Sequence, residues 1–231
     1  MTAFLKKILL LLMPFSALVF IACLCARPVA ANAPDIITVV IDAGHGGVDG
    51  GVTGVNSGVK EADLNLEVAK GLKTLFESAG VNVVLTRTTS AGLYGALTSG
   101  FKRRDLESRV KIAKASGADV FISVHMNKYR DSSRRGAQVF YKIGHEESKA
   151  LAEDVQRSLN FMDGAVRECT VLAGDYYVLN YSDCPAVICE CGFLSSPEDE
   201  KLLLDENYRK TLCYSIFSGT IDYLVSDGII Q

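Results

Sequence analysis

Ile36-Ile37-Thr38-Val39-Val40-Ile41-Asp42-Ala43-Gly44-His45-Gly46-Gly47 is a β-rich apolar run that breaks abruptly into an acid, a histidine and three glycines. Six consecutive residues without a polar partner face suit a strand buried on both sides, as in a parallel sheet covered by helices. Glycine-rich residues 44–58 then read as a loop. Glu61 to Ala79 follows with apolar residues at Leu64, Val68, Leu72, Leu75 and Phe76, a helical stripe that Gly80 closes.

The same alternation continues outward from this unit. Residues 81–86, 119–124, 137–142, 176–179 and 186–190 read as strands, and 104–116, 145–160 and most of 197–225 as helices. Residues 88–102, rich in Thr, Ser and Gly, read as a long loop. Strands alternating with helices predict an α/β fold, a mixed, mainly parallel β-sheet with helices on both faces. The small-residue loop at 130–136 suggests that part of the sheet is antiparallel. No repeat or second domain is visible, so a single catalytic domain is expected over 35–231.

Ahead of it, Lys6 and Lys7 precede an apolar run from Ile8 to Cys25 that ends in the small residues Ala31-Asn32-Ala33. This reads as a secretory signal peptide over 1–33. The apolar run approaches the roughly 20 residues that cross a bilayer, which leaves a retained N-terminal membrane anchor as the alternative. Phe20-Ile21-Ala22-Cys23 only faintly resembles a lipoprotein cleavage site. Either way the domain is expected to be exported and to work in an extracytoplasmic space.

The 231 residues carry 24 basic and 27 acidic side chains, a formal charge of −3. Loss of Lys6, Lys7 and Arg27 with the leader brings the mature domain to −6. A broad basic face for nucleic acid is therefore excluded. Cys169, Cys184, Cys189, Cys191 and Cys213 remain after the leader, an odd number that argues against a complete disulfide framework. Cys189 and Cys191 fall on one strand face and read as buried free thiols, while a Cys169–Cys184 bridge stays open as an alternative.

Only three histidines exist, so each is judged separately. His45 follows the first strand and His125 the strand at 119–124, while Glu190 ends the strand at 186–190 and Glu61 opens a helix. In open α/β sheets ligands gather beyond the carboxyl ends of strands. Two imidazoles and a carboxylate form a familiar hydrolytic zinc set with one position left for water, so His45, Glu61 and His125 are expected to hold one Zn²⁺. Glu190 is then the expected catalytic acid–base group. The loop at 44–58 lacks the Gly-Lys-Ser/Thr ending of a nucleotide-binding phosphate loop. His145, between Gly144 and Glu146 at a helix start, reads as a surface histidine.

Four motifs occur in order: Ile41-Asp42-Ala43-Gly44-His45-Gly46-Gly47, Lys60-Glu61-Ala62-Asp63-Leu64-Asn65-Leu66, Ser123-Val124-His125-Met126-Asn127 and Glu190-Cys191-Gly192-Phe193-Leu194-Ser195. Thr86-Arg87, Asp105-Leu106-Glu107-Ser108-Arg109 and Pro197-Glu198-Asp199-Glu200 extend the set along nearly the whole mature chain. Together they resemble the zinc-dependent N-acetylmuramoyl-L-alanine amidases of the type 3 amidase family. The resemblance implies zinc on His45, Glu61 and His125, catalysis by Glu190, and hydrolysis of the amide between the lactyl group of N-acetylmuramic acid and L-alanine of the peptidoglycan stem peptide. Met126 stands where the family usually has a small residue and is expected to narrow the groove.

A catalytic domain without wall-binding repeats resembles the germination-specific amidases of spore formers, which implies a role in spore cortex modification, muramic-δ-lactam formation and germination. It also implies an activating or tethering partner protein. Two competing readings stand beside it: another exported zinc peptidase or deacetylase of the cell wall, and a catalytically silent wall-binding module. Against the second, all four site positions are filled.

Overall fold

The structure, a computed structural model, describes residues 36–229; the leader or anchor expected over 1–33 lies outside them. The strands are β1 (Thr38–Ala43), β2 (Asn82–Leu85), β3 (Val120–Asn127), β4 (Gln138–Lys142), β5 (Leu172–Gly174) and β6 (Ala186–Phe193). The helices are α1 (Glu61–Ser78), α2 (Phe101–Ala115), α3 (Glu146–Asn160), α4 (Tyr177–Tyr181), α5 (Pro197–Leu204) and α6 (Glu206–Ser226). The six strands form one sheet in the order β2-β1-β3-β6-β4-β5. Neighbours are parallel except β4 and β6, so the sheet is mixed and mainly parallel, as expected.

Strand periodicity explains the two-sided core. Val39 and Ile41 of β1, Ile122 and Val124 of β3, and Val187 and Cys189 of β6 pack with the apolar stripes of α1, α3 and α6. The intervening residues Val40, Phe121, Ala186 and Ile188 face the other way, onto Val110 and Ala113 of α2 and Val178 and Leu179 of α4. On that second face the same alternation carries forward to Asp42, Ser123, His125 and Glu190, where the strands end. Burial of the strands thus sets which side of the sheet receives the polar groups.

Several boundaries differ from the expectation. The strand predicted at 176–179 is the short helix α4; the strand lies earlier, at Leu172–Gly174, beside β4. Four apolar residues in a row do not distinguish strand from helix, and Val178 and Leu179 are buried together against the α2 side of the sheet. Helix α2 starts at Phe101 rather than 104, because Phe101 packs edge-on against Tyr94 and Arg104 ties down the carbonyls of Tyr94, Ala96 and Ser99. All five described cysteines are free, so no Cys169–Cys184 bridge forms. Burial pushes the Cys189 and Cys213 thiols up to about 12, which leaves them inert hydrophobic side chains. Met126 points into the core and does not narrow the groove.

Candidate functional site

The central strands β1, β3 and β6 run parallel, so their carboxyl ends lie side by side. Ala43 is in register with Val124, and His125 with Glu190. The Gly44 amide donates to the Val124 carbonyl (3.0 Å), carrying the ladder one step past β1 and setting His45 above His125. The two rings meet edge to face with centroids 4.9 Å apart. A Cβ on Gly44 would lie 2.2 Å from His125 Cε1, so only glycine permits this approach.

Glu61 enters from the first turn of α1 and is almost completely buried. Its Oε1 lies 3.2 Å from His45 Nε2 and 2.9 Å from His125 Nδ1. The same oxygen accepts from the Met126 amide at 3.1 Å, and Oε2 accepts from the Val52 amide at 2.8 Å. Burial alone pushes the carboxyl up, but its hydrogen bonds to His125 and His45 and their charge hold it far below the usual carboxylate range. Burial likewise pushes His45 down, and Glu61 and Asp49 reverse this, so the imidazole titrates above its ordinary value. Asp49 Oδ2 lies 3.1 Å from His45 Nδ1 and orients the ring from behind.

Ligand atoms of His45, Glu61 and His125 all fall within 4.8 Å of one another. Among the described residues this trio is the one such group of histidines, cysteines and carboxylates. The donor set fits zinc: two imidazole nitrogens, one carboxylate oxygen, and room for a fourth ligand. Glu190 sits beside His125 on the neighbouring strand, with Oε2 buried and unpartnered. Burial pushes its carboxyl up to about 7; His125 opposes the shift and the charge of Glu61 adds to it. A buried acid without a partner, poised near neutrality next to a metal-capable trio, is equipped for proton transfer.

Sequence reading left the scaffold of this site without a role. His45 is the one described residue other than glycine with a left-handed backbone (φ 60°). Two buried arginines hold that conformation. Arg109 Nη2 donates to the His45 carbonyl (2.6 Å) and its Nη1 to that of Ala43 (2.7 Å). Arg87 Nη2 reaches the carbonyls of Gly44 (2.9 Å) and Ala62 (2.7 Å), and Asn65 Nδ2 also reaches Gly44 (3.1 Å). Beneath them Asp42 pairs with Arg109 at 2.6 Å. The sequence signal was the Asp105 and Arg109 pair one helical turn apart in α2, which forms an ion pair at 2.7 Å. His145 stands apart from the site: it caps α3, its Nδ1 accepting from the Ser148 amide at 3.2 Å.

A cavity of about 250 Å³ opens on His45 and His125, walled by Tyr94, Phe101, Lys102 and Tyr176. A larger cavity, about 560 Å³, lies between α1 and α6 around Cys213 and Gly71 and touches none of these groups.

An α/β sheet with a His-Glu-His trio that could hold a metal ion and an unpartnered carboxylate at its strand ends is the arrangement of a hydrolase site. The chain belongs to the N-acetylmuramoyl-L-alanine amidase family, whose model it matches over residues 39–222, and it is therefore a peptidoglycan amide hydrolase. It is 32% identical over 194 residues to the germination-specific N-acetylmuramoyl-L-alanine amidase of Bacillus subtilis, covering 82% of this chain and 81% of that one. It is 32% identical over 188 residues to the B. subtilis N-acetylmuramoyl-L-alanine amidase LytC, but spans only 35% of that longer protein. The CwlD amidase of Clostridioides difficile, solved in complex with the GerS lipoprotein, superposes with a TM-score of 0.79 at 35% identity, over 83% of this chain and all of that one.

Proposed function

We propose that the chain cleaves the amide between the lactyl group of N-acetylmuramic acid and L-alanine, with zinc held by His45, Glu61 and His125 and with Glu190 as the acid–base group. The observation that carries this reading is the trio within 4.8 Å beside the unpartnered Glu190 Oε2. When bound, zinc activates water and polarises the scissile carbonyl. Glu190 Oε2 takes the proton of the attacking water and returns it to the leaving amine of L-alanine. A carboxyl near pH 7 serves both directions, because neither its charged nor its neutral form is scarce at neutrality. Arg87, Arg109 and Asn65 keep His45 and Glu61 facing one another throughout.

The similarity to a germination-specific amidase supports a role in spore cortex modification towards muramic-δ-lactam. It also supports work outside the cytoplasm, to which a leader or anchor at 1–33 would direct the chain. No described helix is long and apolar enough to cross a membrane. The neighbouring CwlD structure is a complex with a lipoprotein, which supports a partner protein for this chain as well.

Metal analysis and product analysis of the purified chain test the reading together. His45→Ala and His125→Ala should each strip zinc, and the parent should free stem peptides with an L-alanine amine terminus while leaving glycan strands whole. Stoichiometric zinc in both variants refutes the ligand assignment; cut glycan or internal peptide bonds refute the amidase assignment.

A further inference from the structure

Because β3 and β4 lie on opposite sides of β6, the segment joining them must pass over the carboxyl end of β6, the end that carries Glu190. Gln138, the first residue of β4, is in register with Glu190 itself. That crossing segment is Lys128-Tyr129-Arg130-Asp131-Ser132-Ser133-Arg134-Arg135-Gly136-Ala137, four cations and one acid, in a mature domain whose charge is −6. Arg167 joins it from a neighbouring loop, its Nε donating to the Arg135 carbonyl at 2.9 Å.

This cationic surface is built rather than merely solvated. The Tyr129 amide donates to Ser195 Oγ (3.0 Å), and Arg135 Nε and the Gly136 amide donate to buried Asp199 at 3.0 and 2.9 Å. Half-buried Arg134 stacks on Tyr129 at 5.3 Å and on Phe193 at 5.9 Å. Arg135 is neutralised by Asp199. Arg134 and Arg167 form no ion pair with another described residue, yet both line a single cavity of about 340 Å³ with Tyr129, Ser133, Arg135 and one acid, Asp131, whose Oδ1 accepts from the Ser133 amide at 2.9 Å. Two planar guanidinium groups held in place over a cavity match a carboxylate, which they bind through paired, charge-assisted hydrogen bonds.

Resting on the amidase reading above, we propose that Arg134 and Arg167 form a subsite for the carboxylates of the stem peptide, an acidic peptide, as it leaves the scissile amide. The neutral, ring-shaped sugar side of the substrate then falls to the separate cavity walled by Tyr94, Phe101 and Tyr176. Substrate polarity, rather than overall charge, sets the direction in which the chain is read.

The test uses two muropeptides that differ only in whether the stem carboxylates are free or chemically amidated. Arg134→Gln and Arg167→Gln should each lower kcat/KM on the free-acid substrate about tenfold or more, through KM, and leave the amidated one unchanged, as loss of a charge-assisted hydrogen bond does. Arg134→Lys should recover part of the loss. Equal losses on both substrates, or none on either, overturn the proposal while leaving the amidase reading intact. Titration of the free stem peptide into the zinc-loaded chain separates the two: arginine-dependent binding of the peptide, with no cleavage of either muropeptide, keeps the subsite and removes the amidase reading. Poly-L-glutamate bound as tightly as the stem peptide, per carboxylate, overturns it in favour of non-specific attraction to polyanions.

Discussion

Asp42 and Glu190 are two acids on the same face of one sheet, at the carboxyl ends of strands separated only by β3, and they are provided for in opposite ways. Asp42 Oδ1 accepts from Thr86 Oγ1 and Arg109 Nη1, both at 2.6 Å, and Oδ2 from Ser123 Oγ at 2.7 Å. Burial pushes its carboxyl up, but Arg109 and the two hydroxyls win and hold it below the ordinary value. Glu190 Oε2 has no partner and its carboxyl rises to about 7. The difference separates a charge that positions from one suited to the proposed proton transfer: the first is fixed in one ionic form, the second stays free to change.

Removing the provision from Asp42 is the most disruptive way to test that contrast. Arg109→Met leaves a carboxylate buried without its cation and should cost about 3–5 kcal/mol of stability, read as a lower urea midpoint. It also frees the carbonyls of Ala43 and His45, so zinc retention should fall with it. A loss below about 1 kcal/mol would mean that Asp42 is neutral or solvated and that the contrast is false.

Glu190→Gln attacks the other side. The rate on peptidoglycan should fall by at least about 10², because no other described carboxyl stands unpartnered at the site. Zinc content should hold and stability should not fall, since an amide in place of an unpaired acid removes a buried charge. A variant that keeps a tenth of the activity would move the acid–base role elsewhere.

The two acids also predict opposite pH dependence in the metal-free chain. A carboxyl raised above its unfolded value of 4.5 binds its proton more tightly when folded, so the Glu190 contribution weakens stability as pH climbs from about 4.5 to about 7. Asp42, lowered from 3.8, stabilises above that value and loses its contribution as pH falls below it. Glu190→Gln should therefore gain on the parent between pH 5 and pH 8 by a difference of the order of 1–3 kcal/mol. Parallel curves for parent and variant across that range would show that Glu190 is not raised.

The grouping of His45, Glu61, His125 and Glu190 was legible in the sequence, and the scaffold that positions it was not. Strand ends followed by His45, His125 and Glu190 reveal themselves because reactive groups in an α/β sheet must stand where the apolar run stops. Arg87 and Arg109 lie far along the chain in a loop and a helix; the Asp105–Arg109 spacing marks an ion pair but not its burial against backbone carbonyls, and only the folded sheet brings the two arginines under His45. The same physics explains the misread at 176–179, where burial of Val178 and Leu179 against α2 decided for helix over strand. Met126 failed for a third reason: its direction depends on strand alternation set by His125, which places it in the core.

The histidines repeat the contrast on a smaller scale. His45 and His125 direct a ring nitrogen each at the shared Glu61 oxygen, whereas His145 is satisfied locally, with Nδ1 taken by the Ser148 amide and Nε2 3.7 Å from Glu147. Ser148 in turn donates no charge to the site; its hydroxyl accepts from the Ala186 amide at the start of β6 (2.9 Å). His145→Ala should thus release one orphan amide at the head of α3 and cost about 0.5–1 kcal/mol, the scale of a lost helix cap. Zinc content and rate should stay at the parent level, because the cap fixes where α3 begins and not where the strands end. A drop in either, with the fold intact, would show that the helix head and the catalytic end are coupled, and would place His145 with the groups that react.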